Sequence, residues 1–285
     1  MHKRLHPRRP EIIQFHMTHP LLTDRSALER ARARTADNPA LFLHDSAICE
    51  VKDRLAMVNK TFTQPAIITG YSAPWGQAFG KARLIYDDPV LDLKEEAHDL
   101  IIHALCLHWA DDPVGQLIQC RRALRPDGLF IAVTFAGQTL HELRAVLGQA
   151  EIEVTGGLSP RVLPMGELRD LGALLQRAGL ALPVADSARL AVTYRNIYHL
   201  MHDLRAMGES NSLASRLRQP TRRAVFEHAA ELYERSFAVP GGIGASFEMV
   251  TLTGWSPDPS QSKPLRPGSA SHRLAEALGT IEKPI

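Results

Sequence analysis

The sequence of 285 residues has few cysteines, little net charge and no long apolar segment. Its three cysteines, Cys49, Cys106 and Cys120, are widely spaced and form no Cys-x-x-Cys pair, so neither a disulfide framework nor a zinc knuckle is indicated. A formal net charge of +2 is too small to indicate nucleic acid binding. No apolar run approaches the roughly 18 residues of a membrane span. We therefore predict a cytoplasmic protein without an integral membrane segment, and leave peripheral membrane association through a partner open.

Signatures of several enzyme classes are also missing. No Walker loop, Ser-His-Asp ordering or pair of catalytic carboxylates stands out, so no catalytic residue is predicted. His199 and His202 are spaced by one helical turn, but a solvated helix face explains this spacing better than a shared metal ion. His103 and His108 are expected on opposite faces of an extended segment. We therefore predict no metal site.

Composition indicates one globular domain between two tails. A content of 45% hydrophobic and 22% charged residues is ordinary for a globular protein and provides a sizeable core. Residues 1–22 carry a basic tip and no apolar period, which predicts a disordered basic tail. Residues 256–285 contain five prolines and many small polar residues, which predicts a flexible tail with at most a short helix at 272–278. The folded domain is then 23–255.

The most informative stretch is a strand, helix and strand in the middle of the chain. A nearly continuous apolar run over 98–110 precedes a polar break, as expected of a strand buried on both faces of a parallel sheet. Helical spacing follows over 114–124, and Pro126-Asp127-Gly128 turns the chain into a second apolar run over 129–135. Ligands usually bind where such strands end.

Apolar periodicity also predicts most of the other elements. The predicted helices are 24–34, 42–58, 139–151, 165–178, 197–207 and 222–237, and the predicted strands are 65–69, 190–194 and 246–255.

The central unit resembles the fourth and fifth strands of class I S-adenosylmethionine (SAM) methyltransferases. Further blocks resemble, in order, the NADH dehydrogenase (complex I) assembly factor 5 family, and the resemblance covers about Thr23–Trp255. These blocks are Thr139–Arg144, Gly156–Arg161, Asp170–Gly179 and Leu200–Asn211. The biotin-pathway carboxyl methyltransferases are more distant relatives. The resemblance implies a Rossmann-like α/β sheet with helical additions, SAM as cofactor and a complex I subunit as partner, with arginine hydroxylation attributed to the eukaryotic member.

The first strand departs from the pattern of active class I enzymes. That pattern has an acidic residue followed by Gly-x-Gly-x-Gly, whose glycines let the backbone approach the methionine part of SAM. Here only Gly70 matches; Ile68 replaces the acid, and Ser72 and Pro74 replace the other glycines. Proline lacks an N–H group and fixes φ near −65°, so it cannot form a glycine turn. The sequence predicts a degenerate SAM site with Trp75 as a hydrophobic plug.

A second departure is a deletion before the central unit. Residues 81–98 number fewer than twenty, where a strand, a helix and a further strand need about 40. We predict that 82–86 is the third strand, with Asp87 where the family places a carboxylate near the adenine. An alternative register makes 82–88 the second strand and Asp88 the ribose acid. In either register one nucleoside-binding strand is lost, so the sheet is abbreviated in its first half.

The resemblance suggests two sets of site residues. Those expected at a cofactor are Gly70, Tyr71, Ser72, Asp87, Leu105 and His108. His108 with Trp109 is either a polar group at the ligand or a packing pair. Those expected at a protein partner are Arg161, Tyr194, Arg205, Glu209 and Asn211. For this second set, hydrogen bonds and ion pairs that fix loops are the alternative.

We interpret the chain as a binding or assembly protein that keeps the fold and partner surface of the family, with SAM binding weak or lost. The alternative is an active SAM-dependent methyltransferase or another enzyme that modifies a protein side chain.

Overall fold

The computed structural model describes residues 21–35 and 39–262, together with Gly279. Most of the two predicted tails, and the short helix at 272–278, therefore lie outside the described residues. Residues 256–262 turn back onto the first residues of the second central strand. The Ser256 amide donates to the Gly128 carbonyl, and Gln261 donates through Nε2 to Asp127.

One mixed sheet forms the centre of the fold. Its strands are β1 (Pro65–Thr69), β2 (Arg83–Ile85), β3 (His98–Ala104), β4 (Leu124–Phe135), β5 (Ala181–Tyr194), β6 (Ala238–Val239) and β7 (Gly242–Trp255). The order is β2-β1-β3-β4-β7-β5, and β6 forms a hairpin with β7. The first four strands are parallel, whereas β7 is antiparallel to both β4 and β5. This arrangement confirms the predicted α/β sheet.

The parallel strands are the most deeply buried part of the molecule. Ile67, Ile101 and Phe130 are representative, with no exposed surface. Both faces of these strands are covered, which is why their sequences are continuous apolar runs without alternation. β5 lies at the edge of the sheet and is largely exposed, so its sequence carries little of this signal. The structure extends β5 well beyond the predicted strand 190–194.

Helices cover both faces of the sheet. They are α1 (Arg25–Ala33), α2 (Phe42–Met57), α3 (Ser72–Ala78), α4 (Pro113–Ala123), α5 (His141–Thr155), α6 (Leu168–Arg177), α7 (Ile197–Ala206) and α8 (Arg223–Phe237). Side chains that accept from first-turn amides begin three of them, namely Asp24, Asp112 and Asn196. The predicted helices that fall on described residues are confirmed, with ends that differ by a few residues. α3 was not predicted, because Pro74 and Gly76 are poor helix formers.

Among the described residues, β2 is the only strand on the outer side of β1, which confirms an abbreviated first half. β2 pairs directly with β1, from Ala66 opposite Arg83 to Ile68 opposite Ile85. That is the position of the second strand in a doubly wound sheet, since the third strand would lie one place further out. A third strand would take the same place beside β1 if the second were deleted, so the assignment of residues 82–86 to the third strand stays a prediction.

Candidate functional site

Most of the predicted cofactor residues lie at the carboxyl ends of the parallel strands, where such sheets bind ligands. Gly70 and Tyr71 follow β1, Asp87 follows β2, and Leu105 and His108 follow β3. Ser72 also follows β1, but it begins α3 and is exposed. Pro74 lies in the first turn of that helix, where a missing N–H group leaves no hydrogen bond unmade.

Helix α1 closes the edge of the sheet above β1. The Arg32 guanidinium lies against Gly70 so closely that a Cβ atom added there would collide with it. Arg32 Nη1 donates to Asp87 Oδ1 at 2.7 Å, and both side chains are buried. Arg25 donates to the carbonyl oxygen of Asp87 at 2.7 Å and lies 3.4 Å from its carboxylate. Arg32 therefore lies over Gly70 and is held there by Asp87.

The buried contact between Arg32 and Asp87 is an ion pair. Burial alone would lower the pKa of Arg32, but the Asp87 carboxylate raises it above its ordinary value. The guanidinium thus stays charged in the interior. Neither arginine was singled out from the sequence, although Arg25 and Arg32 are seven residues apart and so share one face of a helix. That spacing was the available signal.

Tyr71 and Trp75 fill the space beside Gly70. Tyr71 Oη donates to the carbonyl of Met207 at 2.7 Å, and burial raises the pKa of Tyr71. Trp75 is fully buried, and its indole N–H donates to Nδ1 of His44 at 3.0 Å. Burial lowers the pKa of His44 to about 4, so this ring accepts as a neutral imidazole. Trp75 belongs to the hydrophobic core, which agrees with the interpretation of this residue as a plug or core contact.

Leu105 and His108 lie at the end of β3. Leu105 has a φ of 49°, a left-handed conformation that is strained for leucine, and its amide donates to the Val133 carbonyl. The buried His108 ring packs against Phe135, and its Nε2 atom lies 3.4 Å from Glu209 Oε2. His103 is separate from this cluster, since its Nε2 atom contacts Gln116 at 2.8 Å.

Glu209 contacts the side chains of His108 and Trp109 and also lines a cavity. Its Oε2 atom accepts from the indole N–H of Trp109 at 2.8 Å and also contacts His108. Burial opposes ionisation of Glu209, but the contact with His108 and the charge of Arg32 keep its pKa below the ordinary value. Glu209 is therefore an anion whose bonding capacity is already used in part.

The cavity has a volume of about 310 Å³ and lies beyond the ends of β3 and β4. Its walls are mostly apolar and come from the sheet, α5 and α7. Representative wall residues are Phe135, Leu140, Leu143, Met201, Leu204 and Phe247. Arg161, Arg205, Glu209 and Asn211 also line it, so the structure brings together four of the five residues predicted at a partner.

Three of the five predicted partner residues are held by bonds that fix loops. Arg161 forms two hydrogen bonds with the carboxylate of Glu151, at 3.0 and 2.6 Å. These bonds lower the pKa of Glu151 to about 2 despite its burial. Asn211 donates to the Pro160 carbonyl at 2.9 Å, and Tyr194 donates to Asp203 at 2.7 Å. These contacts favour the loop-fixing alternative.

Arg205 differs from the other predicted partner residues. Its side chain is exposed, and within residues 21–35 and 39–262 no carboxylate or carbonyl oxygen lies within bonding distance of its guanidinium. Contact between Arg205 and a partner remains a prediction.

The described part of the chain contains no cluster of His, Cys, Asp and Glu that could hold a metal ion. None of its helices is long and apolar enough to cross a membrane.

The parallel strands, with antiparallel β7 inserted beside β4, define a class I methyltransferase fold. A family model described as "Methyltransferase domain" matches residues 80–132. Among solved structures, the YcgJ protein of Bacillus subtilis aligns with a TM-score of 0.46 and 12% identity over 75% of this chain and 99% of that chain. Phosphoethanolamine N-methyltransferase 2 of Haemonchus contortus aligns with a TM-score of 0.42 and 10% identity over 75% and 53%. The strand order, rather than these scores, carries the assignment.

Sequence relatives narrow the class. The mitochondrial arginine-hydroxylase NDUFAF5 of Homo sapiens is 37% identical over 198 residues, which is 70% of this chain and 57% of the human protein. The Dictyostelium discoideum NDUFAF5 is 37% identical over 68% of this chain and 45% of its own length. A malonyl-[acyl-carrier protein] O-methyltransferase of Xylella fastidiosa is 32% identical over 61% and 57%. The chain belongs to the NDUFAF5 family, as predicted, and spans about half the length of the relatives it matches.

The relatives also correct one prediction. The prediction of a cytoplasmic protein is wrong, because the NDUFAF5 proteins that this chain matches are mitochondrial. That prediction depended on free cysteines and on the lack of an apolar segment. Neither feature distinguishes a cytoplasmic protein from a mitochondrial one.

Proposed function

We propose that this chain is a binding or assembly protein that acts on a protein partner during complex I assembly and does not use SAM. Membership of the NDUFAF5 family supports the assembly role. One observation carries the claim about the cofactor: the Arg32 guanidinium lies over Gly70 and is paired with Asp87. In this arrangement the residues do not fit SAM.

The energies involved support weak cofactor binding. To admit SAM, Arg32 has to leave Gly70 and its buried pair with Asp87 has to break. Breaking a buried ion pair costs roughly 3 to 5 kcal/mol. Each polar contact to SAM that is lost removes about 1 to 3 kcal/mol more. Since 1.4 kcal/mol is tenfold in affinity, we expect SAM affinity to fall by several powers of ten.

The exposed side of α7 is the surface we propose for the partner. Tyr198 is 48% exposed, and His202 and Arg205 follow it at spacings of four and three residues. Residues at these spacings form one stripe along a helix. Tyrosine and arginine are frequent anchors of protein interfaces. This stripe therefore offers an aromatic and a cationic contact on one face.

Calorimetric titration with S-adenosylhomocysteine (SAH) tests the proposal. We expect no site tighter than about 100 μM, and an active class I methyltransferase titrated under the same conditions is the positive control. A micromolar site in this chain would overturn the proposed loss of SAM binding.

The alternative is an active SAM-dependent enzyme of the same fold. The specific observation in its favour is the cavity at the ends of β3 and β4, which lies where such a sheet binds ligands. Opening of the Arg32–Asp87 pair would have to accompany cofactor binding. The SAH titration separates the two functions, because a SAM-dependent enzyme has to bind the cofactor and an assembly protein does not.

A further inference from the structure

The cavity lined by Arg205 and Glu209 has an uneven distribution of free charge. Arg161 is neutralised by Glu151, and Asn211 is bonded to Pro160. Glu209 already accepts from Trp109. Among the described residues, Arg205 is the cation on the cavity wall whose guanidinium has no carboxylate within bonding distance, whereas Arg161 has one. A ligand that enters the cavity therefore meets mostly apolar walls, the Arg205 cation, and a Glu209 carboxylate that already contacts Trp109 and His108.

We propose that this cavity binds a small aliphatic carboxylate, with its chain against the apolar walls and its carboxylate on Arg205. A guanidinium matches a carboxylate through two parallel N–H donors, and such charged hydrogen bonds are stronger than neutral ones. The walls beside Arg205 are supplied by Met201 and Leu204, one turn or less away on α7. One face of α7 thus provides both a cation for the carboxylate and apolar side chains for the alkyl chain of the ligand.

Other ligand charges fit the cavity less well. A cation would have to compete with Trp109 and His108 for Glu209, and it would lie beside the charge of Arg205. A neutral molecule of the same length would fill the apolar part without engaging Arg205. The preference for an anion over a neutral isostere therefore measures the contribution of Arg205 itself.

The size of the cavity indicates a chain of medium length. Small-molecule sites occupy roughly 300 to 1,000 Å³, and this cavity, at about 310 Å³, lies at the lower end of that range. Met165, Met201 and Met207 all line it. Methionine side chains are flexible and polarisable, so the walls can adapt to an unbranched alkyl chain.

Titration with octanoate, 1-octanol and octylamine tests this inference. We expect octanoate to bind about tenfold more tightly than octanol, and octylamine to bind most weakly. Arg205→Met should remove the preference for octanoate over octanol, whereas Arg189→Met, an exposed arginine on β5 outside the cavity, should keep it. Methyl NMR of Met165, Met201 and Met207 places the ligand without any substitution.

Three results would overturn the inference: no octanoate binding up to millimolar concentrations, equal binding of octanoate and octanol, or methyl shifts outside the cavity. The inference goes beyond the proposed function and can fail separately from it. Octanoate binding tests the cavity beside Arg205, whereas SAH binding tests the space above Gly70.

Discussion

The two ends of the sheet's carboxyl edge differ in what lies above the strands. Above β1 and β2, Arg32, Tyr71 and Trp75 fill the space, and each of them donates a hydrogen bond within the chain. Beyond the ends of β3 and β4 a cavity of about 310 Å³ remains, with mostly apolar walls and with Arg205, which has no carboxylate partner among the described residues. One side of such a sheet can therefore hold a cavity while the other side is occupied by its own side chains.

Charge pairing is also more important for stability at the β1–β2 end of the sheet than at the cavity. Arg32 and Asp87 are both buried, so each depends on the other for charge compensation. Arg205, in contrast, is solvated and has no such dependence. Substitutions at the filled end should therefore affect folding, and substitutions at the open end should affect ligand binding.

The largest effect is expected for Arg32→Ala. This change leaves Asp87 buried with Arg25 as its remaining cation, and should lower the free energy of unfolding by roughly 3 to 5 kcal/mol. Urea denaturation measures the change. Arg34→Ala, an exposed position at the end of α1, is the matched control and should change it by less than about 0.5 kcal/mol. Equal effects of the two substitutions would show that the buried pair does not hold α1 in place.

The pair of Glu151 and Arg161 should make stability depend on pH. The pKa of Glu151 is lowered from 4.5 to about 2 by its bonds with Arg161, so the folded state favours the carboxylate. This contribution is fully present above pH 4.5 and is lost as pH falls towards about 2. Linkage gives about 3 kcal/mol for the full shift.

Glu151→Gln tests this pH dependence. Denaturation between pH 6 and pH 3 should show a shallower loss of stability for the variant than for the wild type. Parallel curves would contradict the assignment. Because Arg161 lines the cavity and loses its neutralising carboxylate in this variant, octanoate should also bind more tightly to the variant than to the wild type.

The smallest effect is expected for Tyr194→Phe. The change removes the hydrogen bond to Asp203 and should lower the free energy of unfolding by about 1 kcal/mol. Neither octanoate nor SAH titration should change, because Tyr194 lines neither end. A change in octanoate binding would show that Tyr194 positions α7 at the cavity.

The centre of the fold could be predicted from the sequence, because buried parallel strands require continuous apolar runs and β3 and β4 have them. α3 and most of β5 could not. Pro74 and Gly76 weaken the helical signal of α3, and exposure of β5 removes the need for apolar residues.

The candidate site could be predicted only in part. Its glycine, serine and proline were visible as departures from a motif. The ion pair that fills the site was not, because it joins residues 55 positions apart that only the fold brings together. The deletion was visible because residues 81–98 are too few for two strands and a helix. The sequence alone could not show that the remaining strand, β2, pairs directly with β1.

The most direct test of the account is a two-step NMR titration of one sample, first with SAH and then with octanoate. The account predicts no change in the amide resonances of Gly70 and Tyr71 with SAH, followed by shifts of the Met165, Met201 and Met207 methyl groups with octanoate. Saturable shifts of Gly70 and Tyr71 at micromolar SAH would contradict the claim that Arg32 and Asp87 have closed the cofactor end of the sheet.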